Sequence, residues 1–583
     1  MNMKNTMKYI VALAAVLALA SCQKFLNRPT EDNYNVDNFY KTDLQLEQGV
    51  NYLYNSPWYD FQRGFIKIGE VMSGNMYWGQ SPYLTFTTNG TDEDLINMSY
   101  SLWAVNGHVN TVISNIVNSQ GPSQEAKNKY IGEALVWKAF AYFFMVRTFG
   151  PVPIIHDNNA MLNAGNYNDV QKVDREGVYD YIIYTLETAM NLLPKQTSNW
   201  NQRIDYYAAE ALLAKVYLTK AGLSGTLSDE DLGKAASYAE DVITQSGRSL
   251  TPVYSDVFRL DPKVYNATGE SLISWQWTVS DQQWTRQNTL QSDLAMVGFD
   301  ENGDVWGGWG GPSVDLQDAF GVKPTDDPAL RNDKDDRRKA TMMLPGDKYE
   351  YFWTDKGGFD FIRFIYDTEY GAGGPGGSMQ CPTGSNNVKH LYGDNADHIA
   401  GVGVPAARMA SQLPTHLLRL SDVYLIYAEA KFLTGEEPVA RKYVNYVRER
   451  AHAEPFDAAI TYADIWKERR LELAGEGDRW YDYVRRAYYD MDYCINELKN
   501  QRRSDYYGLD DLWKGYYETG VWSKKGQKDK TGYPGTNYDN PNVTAESFQL
   551  PFPTEDVVFN KNMASTAEAI HVDNIREAYP YNF

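Results

Sequence analysis

Apolar positions recur every three or four residues along several long stretches of the chain, the period of helices that bury a face. Ala134, Trp137, Ala141, Phe144, Met145 and Thr148 carry it through a predicted helix from about Glu125 to Phe149, which Gly150-Pro151 stops. The same pattern predicts helices around Tyr40 to Asn55, at about Glu176 to Leu193 ahead of Pro194, at Asp205 to Lys220 and at Leu232 to Gln245. The last two form a hairpin across the Gly222 to Asp229 loop. A comparable hairpin follows far downstream, where Tyr427 to Thr434 precedes Ala440 to Arg448. Both alternate small and large residues, as tetratricopeptide-type units do, so that alanines let two helices approach and tyrosines fill the groove. The units are degenerate and separated, which argues against a regular solenoid.

Between them, from about Tyr254 to Pro414, helical periodicity gives way to Gly303-Asp-Val-Trp-Gly-Gly-Trp-Gly-Gly311, a charge-dense stretch from Asp326 to Lys339, and the loop Gly371 to Gly377. A second loop-rich region runs from Tyr506 to Asn540. The predicted class is therefore mainly α: a helical-hairpin core carrying long loop-rich excursions with short strands. Loops on a rigid scaffold are where binding residues usually sit.

The first residues have another purpose. Lys4 and Lys8 precede an apolar run from Tyr9 to Ala20, and Leu19-Ala-Ser-Cys22 puts small residues before a cysteine, the layout of an export signal cleaved ahead of Cys22. The run is too short to span a membrane, which takes roughly 20 apolar residues. Leu-Ala-Ser-Cys resembles the lipobox of bacterial lipoproteins, which implies a lipidated Cys22 and a membrane-tethered domain.

Composition narrows the partners. Of 583 residues 43% are hydrophobic, enough for a large core, while a formal charge of -21 argues against a nucleic-acid surface. Cys381 and Cys494 are the only cysteines after Cys22, so no disulfide framework holds the fold, and their pairing is open. Tyrosine, at 44, is twice as frequent as phenylalanine, at 22, which suits half-wet surfaces and ligand platforms as well as helix packing.

No catalytic signature survives its context. Gly371 to Gly376 matches a dinucleotide fingerprint, but Pro375 and the lack of an adjoining strand make it a loop. There is no nucleophile elbow, no His-Glu-x-x-His and no paired Cys-x-x-Cys, and the seven histidines are scattered, so neither a catalytic residue nor a metal or cofactor is assigned. Glu468, Glu472 and Glu476 share a helical face if the helix continues past Gly475, with Arg469, Arg470 and Arg479 beside them; this reads as an ion-pair network fixing a helix terminus. Asp326, Asp327, Asp333, Asp335 and Asp336 lack the spacing of a calcium loop and read as a solvated turn.

Four tryptophans stand out because no amphipathic helix explains them: Trp78, Trp284, Trp306 and Trp309. A Trp face stacks on the apolar face of a pyranose while polar neighbours, here Asn75, Tyr77 and Arg286, bond the ring hydroxyls. The alternative is that each packs into a small core under its loop.

Several segments resemble the SusD/RagB family of Bacteroidota outer-membrane lipoproteins. They are Glu133 to Arg147 running into Phe149-Gly-Pro-Val-Pro-Ile154, Asp336 to Thr341, Arg419 to Ala430 with Val444 to Ala451, Glu468 to Asp482, and Leu550-Pro-Phe-Pro-Thr-Glu-Asp556, in the family's order behind the lipobox. The resemblance implies a signal over 1–21, a lipidated tether over 22–35, and one SusD-like domain over 36–583. In that domain the helical core is about 36–250 and 415–490, the ligand-binding excursion about 254–414, and the C-terminal loop-rich part about 500–583. It further implies a surface-exposed lipoprotein of the outer membrane that binds an oligosaccharide, without cutting it, for a SusC-like TonB-dependent transporter. Peptide capture in the RagB manner and glycoside hydrolysis are the alternatives. The glycan-contacting residues belong to no family motif, so the tryptophans stand on loop position.

Overall fold

The computed structural model describes residues 39–279, 284–300, 307–331, 333–371, 376–524, 533–534 and 536–583. The expectations for the signal, Cys22 and the tether fall on residues outside these, as does Trp306.

The scaffold is built from α1 (Asp43–Asn51), α2 (Glu93–Asn118), α3 (Gln124–Phe149), α4 (Arg175–Leu192), α5 (Tyr206–Lys220), α6 (Asp229–Gln245), α7 (Leu420–Leu433), α8 (Glu437–Arg450), α9 (Tyr462–Leu473) and α10 (Arg479–Ala487). Side-chain caps fix the starts: Ser123 accepts from Ala126 N ahead of α3, Asp174 from Gly177 N ahead of α4, and Asp205 from Ala208 N ahead of α5. Every residue of α3 from Tyr130 to Phe149 is buried, which makes it the central helix rather than an amphipathic surface one. α3 packs on α2 and α4, α5 on α6, and α7 on α8. The two hairpins read from the sequence also meet, since α6 lies against α7 although the whole excursion separates them in the chain.

α2 is a 26-residue helix absent from the sequence-based expectation. Its stripe of Leu95, Met98, Leu102, Val105, Val109, Val112 and Ile116 has helical spacing, but Ser, Asn, His and Gly107 between these positions dilute it. The C-terminal loop-rich region likewise contains the helix Leu509–Thr519, whose Leu512 and Trp513 enter a second apolar cluster with Phe299, Trp353, Phe361 and Phe364 of the excursion.

The excursion is closed at its root by an antiparallel ribbon, β2 (Ser271–Trp275) against β4 (Thr415–Arg419). Trp275, fully buried, sits 5.5 Å from Trp58, which is 5.4 Å from Trp137 of α3, so an aromatic chain ties the ribbon to the central helix. Phe65, 5.3 Å from Trp275, extends it into the segment that carries the site.

Beside the ribbon lies a buried ionic seam. Arg419 reaches Glu270 at 2.7 Å and Glu476 at 2.7 Å, Lys389 reaches Glu476 at 2.7 Å, and Arg450 joins Glu270 at 3.0 Å and also bonds Glu472. Arg337 bonds Glu468. The Glu468–Glu476 segment is thus an ion-pair network, but not on the geometry read from the sequence. α9 ends at Leu473, and Gly475, at φ +86°, turns the chain so that Glu476 folds back toward Arg419. Nor do the neighbouring arginines supply the partners: Arg469 pairs with Asp422 and Asp482, and Arg470 with Asp315. The aspartates of the 326–336 stretch are only partly solvated, because Asp333 pairs with Arg331 and Arg338 and Asp335 caps the helix Asp336–Thr341. Cys381 and Cys494 are both buried and free, not paired with each other.

Candidate functional site

Arg63 lies on the short helix Gln62–Ile66, which passes directly into a π-helical turn, Lys67–Met72, and then into β1 (Met76–Trp78). Such turns cluster at functional sites because the extra residue re-aims the side chains that follow. This one is held by Glu70, wholly buried, whose carboxylate accepts from Gly475 N at 3.0 Å, Gly477 N at 2.7 Å and Asn75 Nδ2 at 2.9 Å. Burial raises the Glu70 pKa, with those three donors opposing the rise. The two turns touch so closely that a Cβ on Gly69 would lie 2.2 Å from the Gly477 carbonyl oxygen. The seam at the root of the excursion and the start of the site are therefore one rigid unit.

β1 pairs with β3 (Gly310–Pro312), Trp78 opposite Gly310. A Cβ at Gly310 would come 3.2 Å from Trp78 Cε3, so a larger residue there would press on the indole. Trp309, 64% exposed, precedes β3, one residue from the partner of the half-buried Trp78. Alternation along the strand sends Tyr77 to the other side, where it is buried and its hydroxyl donates to Asp505 at 2.9 Å.

The Lys67 ammonium lies 5.2 Å from the centre of the Trp78 ring and is ion-paired with Asp94. One turn earlier, Arg63 grips Asp293 with two nitrogens, at 3.1 and 3.3 Å. Arg63 and Asp293 line a cavity of about 350 Å³ with Tyr59, Asp60, Asn97 and Arg408, and Trp284 forms part of its wall. Trp284 is 43% exposed and held in the left-handed region at φ +70°, a conformation uncommon for a bulky residue and frequent at binding sites. Asn97 follows Asp94 by three residues on α2, so the cavity under Trp284 and the Lys67–Trp78 contact lie along one helix face. Trp284 thus edges a cavity that lies one helical turn from the Lys67–Trp78 contact, while Trp309 stands exposed in the chain just ahead of β3.

Both carboxylates of the cavity are pushed up by burial: Asp60 by that effect alone, and Asp293 against the opposing pull of Arg63. Among the described residues no cluster of three or more His, Cys, Asp or Glu is placed to hold a metal ion, and no helix is long and apolar enough to cross a membrane.

The structure places Trp284 on the cavity wall and Trp78 beside Lys67, leaves Trp309 exposed ahead of β3, and puts the three polar residues expected beside them elsewhere. Asn75 is buried, its amide donating to Glu70 and its Oδ1 accepting from Arg470 Nε at 2.7 Å, so no face is left for a ligand. Tyr77 is similarly spent on Asp505. Arg286 does not line the cavity; it is half-buried, and its charge acts on Tyr52. The polar groups that line the cavity, Arg63, Asn97, Asp293 and Arg408, and the Lys67–Asp94 pair beside Trp78 are absent from the sequence-based expectation. One signal was available: Arg63 and Lys67, four apart, share a helical face just ahead of Trp78.

Comparison with known proteins agrees with this architecture. A family model described as "SusD family" matches residues 187–567, and one described as "Starch-binding associating with outer membrane" matches residues 2–218. A SusD-like protein of Bacteroides ovatus is 32% identical over 577 residues, covering 94% of this chain and 96% of that one. A crystal structure with bound xylogluco-oligosaccharide superposes with TM-score 0.73 at 29% identity, covering 90% of this chain and 99% of the other. A laminarin-binding SusD-like protein shares the fold, with TM-score 0.61 at 20% identity over 89% of this chain and 98% of its own. With one family model spanning most of the chain and a relative of such identity along nearly its whole length, the chain belongs to the SusD family.

Proposed function

We propose that this protein captures an oligosaccharide, without cleaving it, at the outer face of the outer membrane, tethered by a lipid on Cys22 and the 22–35 segment, and passes it to a SusC-like TonB-dependent transporter. The observation that carries this reading is the cavity walled by Trp284, one helical turn from the Lys67–Trp78 contact, with the exposed Trp309 ahead of the strand that pairs with β1. Flat aromatic faces suit the sugar rings of an oligosaccharide. The paired charges favour a neutral ligand. Arg63 and Lys67 are matched by Asp293 and Asp94, so the site offers hydrogen-bond donors and acceptors in fixed places without an unmatched charge from either. The xylogluco-oligosaccharide held by a relative of similar length and 29% identity supports a β-glucan, plain or branched, as the class to test first.

Affinity electrophoresis against xyloglucan, mixed-linkage β-glucan, laminarin and starch, with Trp78→Ala, Trp284→Ala and Trp309→Ala, tests the site. Retardation by at least one β-glucan, lost stepwise in the three variants, is expected; full retardation of all three removes them from the site. Surface exposure is tested by protease accessibility in intact cells. The hydrolase reading has one observation in its favour, since Asp60 and Asp293 line the same cavity. Against it, both Asp293 oxygens accept from Arg63, which leaves that carboxylate structural. Release of reducing ends by purified protein, abolished by Asp60→Asn, is the result that would restore an enzyme.

A further inference from the structure

Lys138 is a buried cation of a different kind from the rest. It lies on α3, 1% exposed, and its ammonium donates to Asn110 Oδ1 at 2.6 Å and to the His156 carbonyl at 3.3 Å. The Tyr181 and Tyr581 ring centres are 5.8 and 5.6 Å away. Among the described residues no carboxylate is within ion-pair distance of it. The other two buried lysines among the described residues are treated differently: Lys215 sits between Asp422 at 2.7 Å and Asp478 at 2.6 Å, and Lys389 meets Glu476 at 2.7 Å. Burying an ammonium without an anion is costly, and the cost shows in its titration. Burial pulls the Lys138 pKa down to about 7, whereas Asp422 and Asp478 overcome burial at Lys215 and raise it.

Of the groups that face Lys138, Asp157 supplies part of the missing charge, opposing the effect of burial from beyond ion-pair distance. Asp157, ahead of the helix Asn158–Ala164, has its carboxylate on the backbone N–H groups of Asn159 and Ala160. His156 is held neutral, its pKa lowered to about 4 by burial and by Lys138, and its ring nitrogens contact the Tyr181 hydroxyl and the Pro580 carbonyl, each at 3.0 Å. Tyr181 of α4 and Tyr581 of the C-terminal segment bond each other at 3.2 Å and stay neutral, since burial raises both. From α2 comes only the amide of Asn110. In front of Lys138 is a cavity of about 370 Å³, also lined by Asn110, His156, Asp157, Asn159, Tyr581 and Asn582 and separate from the cavity under Trp284.

We propose that this cavity is a binding site for a small organic carboxylate of up to monosaccharide size, which supplies the counter-charge that Lys138 lacks. The carboxylate sits against the ammonium at the inner end, and the amides of Asn159 and Asn582 meet its polar remainder toward the rim. Binding and protonation are then linked, because the anion recharges the amine.

The test is calorimetric titration of the mature protein with glucuronate, with glucose as the uncharged control, in two buffers of different protonation enthalpy at pH 7.5. Glucuronate is expected to bind with net proton uptake, to bind at least tenfold more weakly at pH 9, and to lose at least tenfold in Lys138→Met while Trp284→Ala and Trp309→Ala bind it normally. If Lys138→Met does not fold, proton uptake and pH dependence in the unmodified protein, with the rim variant Asn159→Leu, carry the same test. Absence of glucuronate binding at tens of millimolar, binding without proton uptake, or an equal response to glucose overturns the proposal. None of these outcomes bears on the tryptophan site, so the two sites stand or fall separately.

Discussion

The helical scaffold and the excursion are held together by different physics. In the scaffold, α3 and α5 are buried almost all round, and a continuous apolar cluster runs from Leu46 through the hairpins. Burial of this kind is non-directional and tolerant: about the right volume in about the right place suffices. At the root of the excursion the joint is ionic. Glu270, Arg419, Arg450, Glu472 and Glu476 are each less than a tenth exposed; the first four each bond at least two partners of the set, and Glu476 holds Arg419 and Lys389. Such a joint is exacting, because removing one member strands another charge in a dry environment. The contrast has a use. Hydrophobic packing makes the hairpins stable, while a seam with one geometrical solution holds Glu70, the π-turn and β1, and so places Trp78.

Breaking the seam is expected to have the largest effect. Arg419→Met leaves three carboxylates short of a cation and is expected to cost about 3–5 kcal/mol, measured by urea denaturation; a loss below about 1 kcal/mol means that the seam is solvated after all. Trp275→Ala, at the junction of the two regions, removes an aromatic from a packed stack and is expected to cost a similar 3–5 kcal/mol or slightly less. Because Phe65 leans on Trp275, it is also expected to weaken glycan binding, which a scaffold variant such as Leu232→Ala leaves alone.

A pH titration separates the two regions further. His416 and His390 lie near the seam, and burial holds each neutral with its pKa lowered from 6.5 to about 4. For a group depressed in the folded state, the unfolded chain takes the proton first as pH falls. The stabilisation is therefore complete above pH 6.5 and lost progressively down to about 4. Glu476 adds a second window: burial alone would raise it, but Arg419 and Lys389 hold it down to about 2, so its share is lost between 4.5 and 2. The melting temperature is expected to fall as pH drops from 6.5, and His416→Gln is expected to flatten the first part of that fall; an unchanged slope in the variant would falsify the assignment. The smallest effect on stability is expected at the exposed tryptophans. Trp284→Ala and Trp309→Ala are expected to change unfolding free energy by no more than about 0.5 kcal/mol, yet each to weaken glycan binding by about 1 kcal/mol, the scale of one aromatic contact.

Local periodicity was enough to place α3 to α6 and α8 within a few residues, to find the second half of α7 and to predict two hairpins, because helix formation and burial of a face are both written in spacings of three and four. Periodicity failed where polar residues interrupt the stripe, as in α2, and where one apolar turn is buried by distant partners, as in Leu509–Thr519. The charge of the Glu468 segment was equally plain, but its partners were not: Arg337, Arg419 and Arg450 come from three other parts of the chain. Loop position marked Trp78, Trp284 and Trp309 as unusual, and only tertiary structure set Trp284 on a cavity wall one helical turn from the Lys67–Trp78 contact. Asn75, Tyr77 and Trp78 show the division most sharply. Side chains alternate across a strand, and which face meets solvent depends on what packs behind it. Asp505, Glu70 and Arg470 draw Tyr77 and Asn75 inward, and Gly310 leaves room for Trp78 to look out.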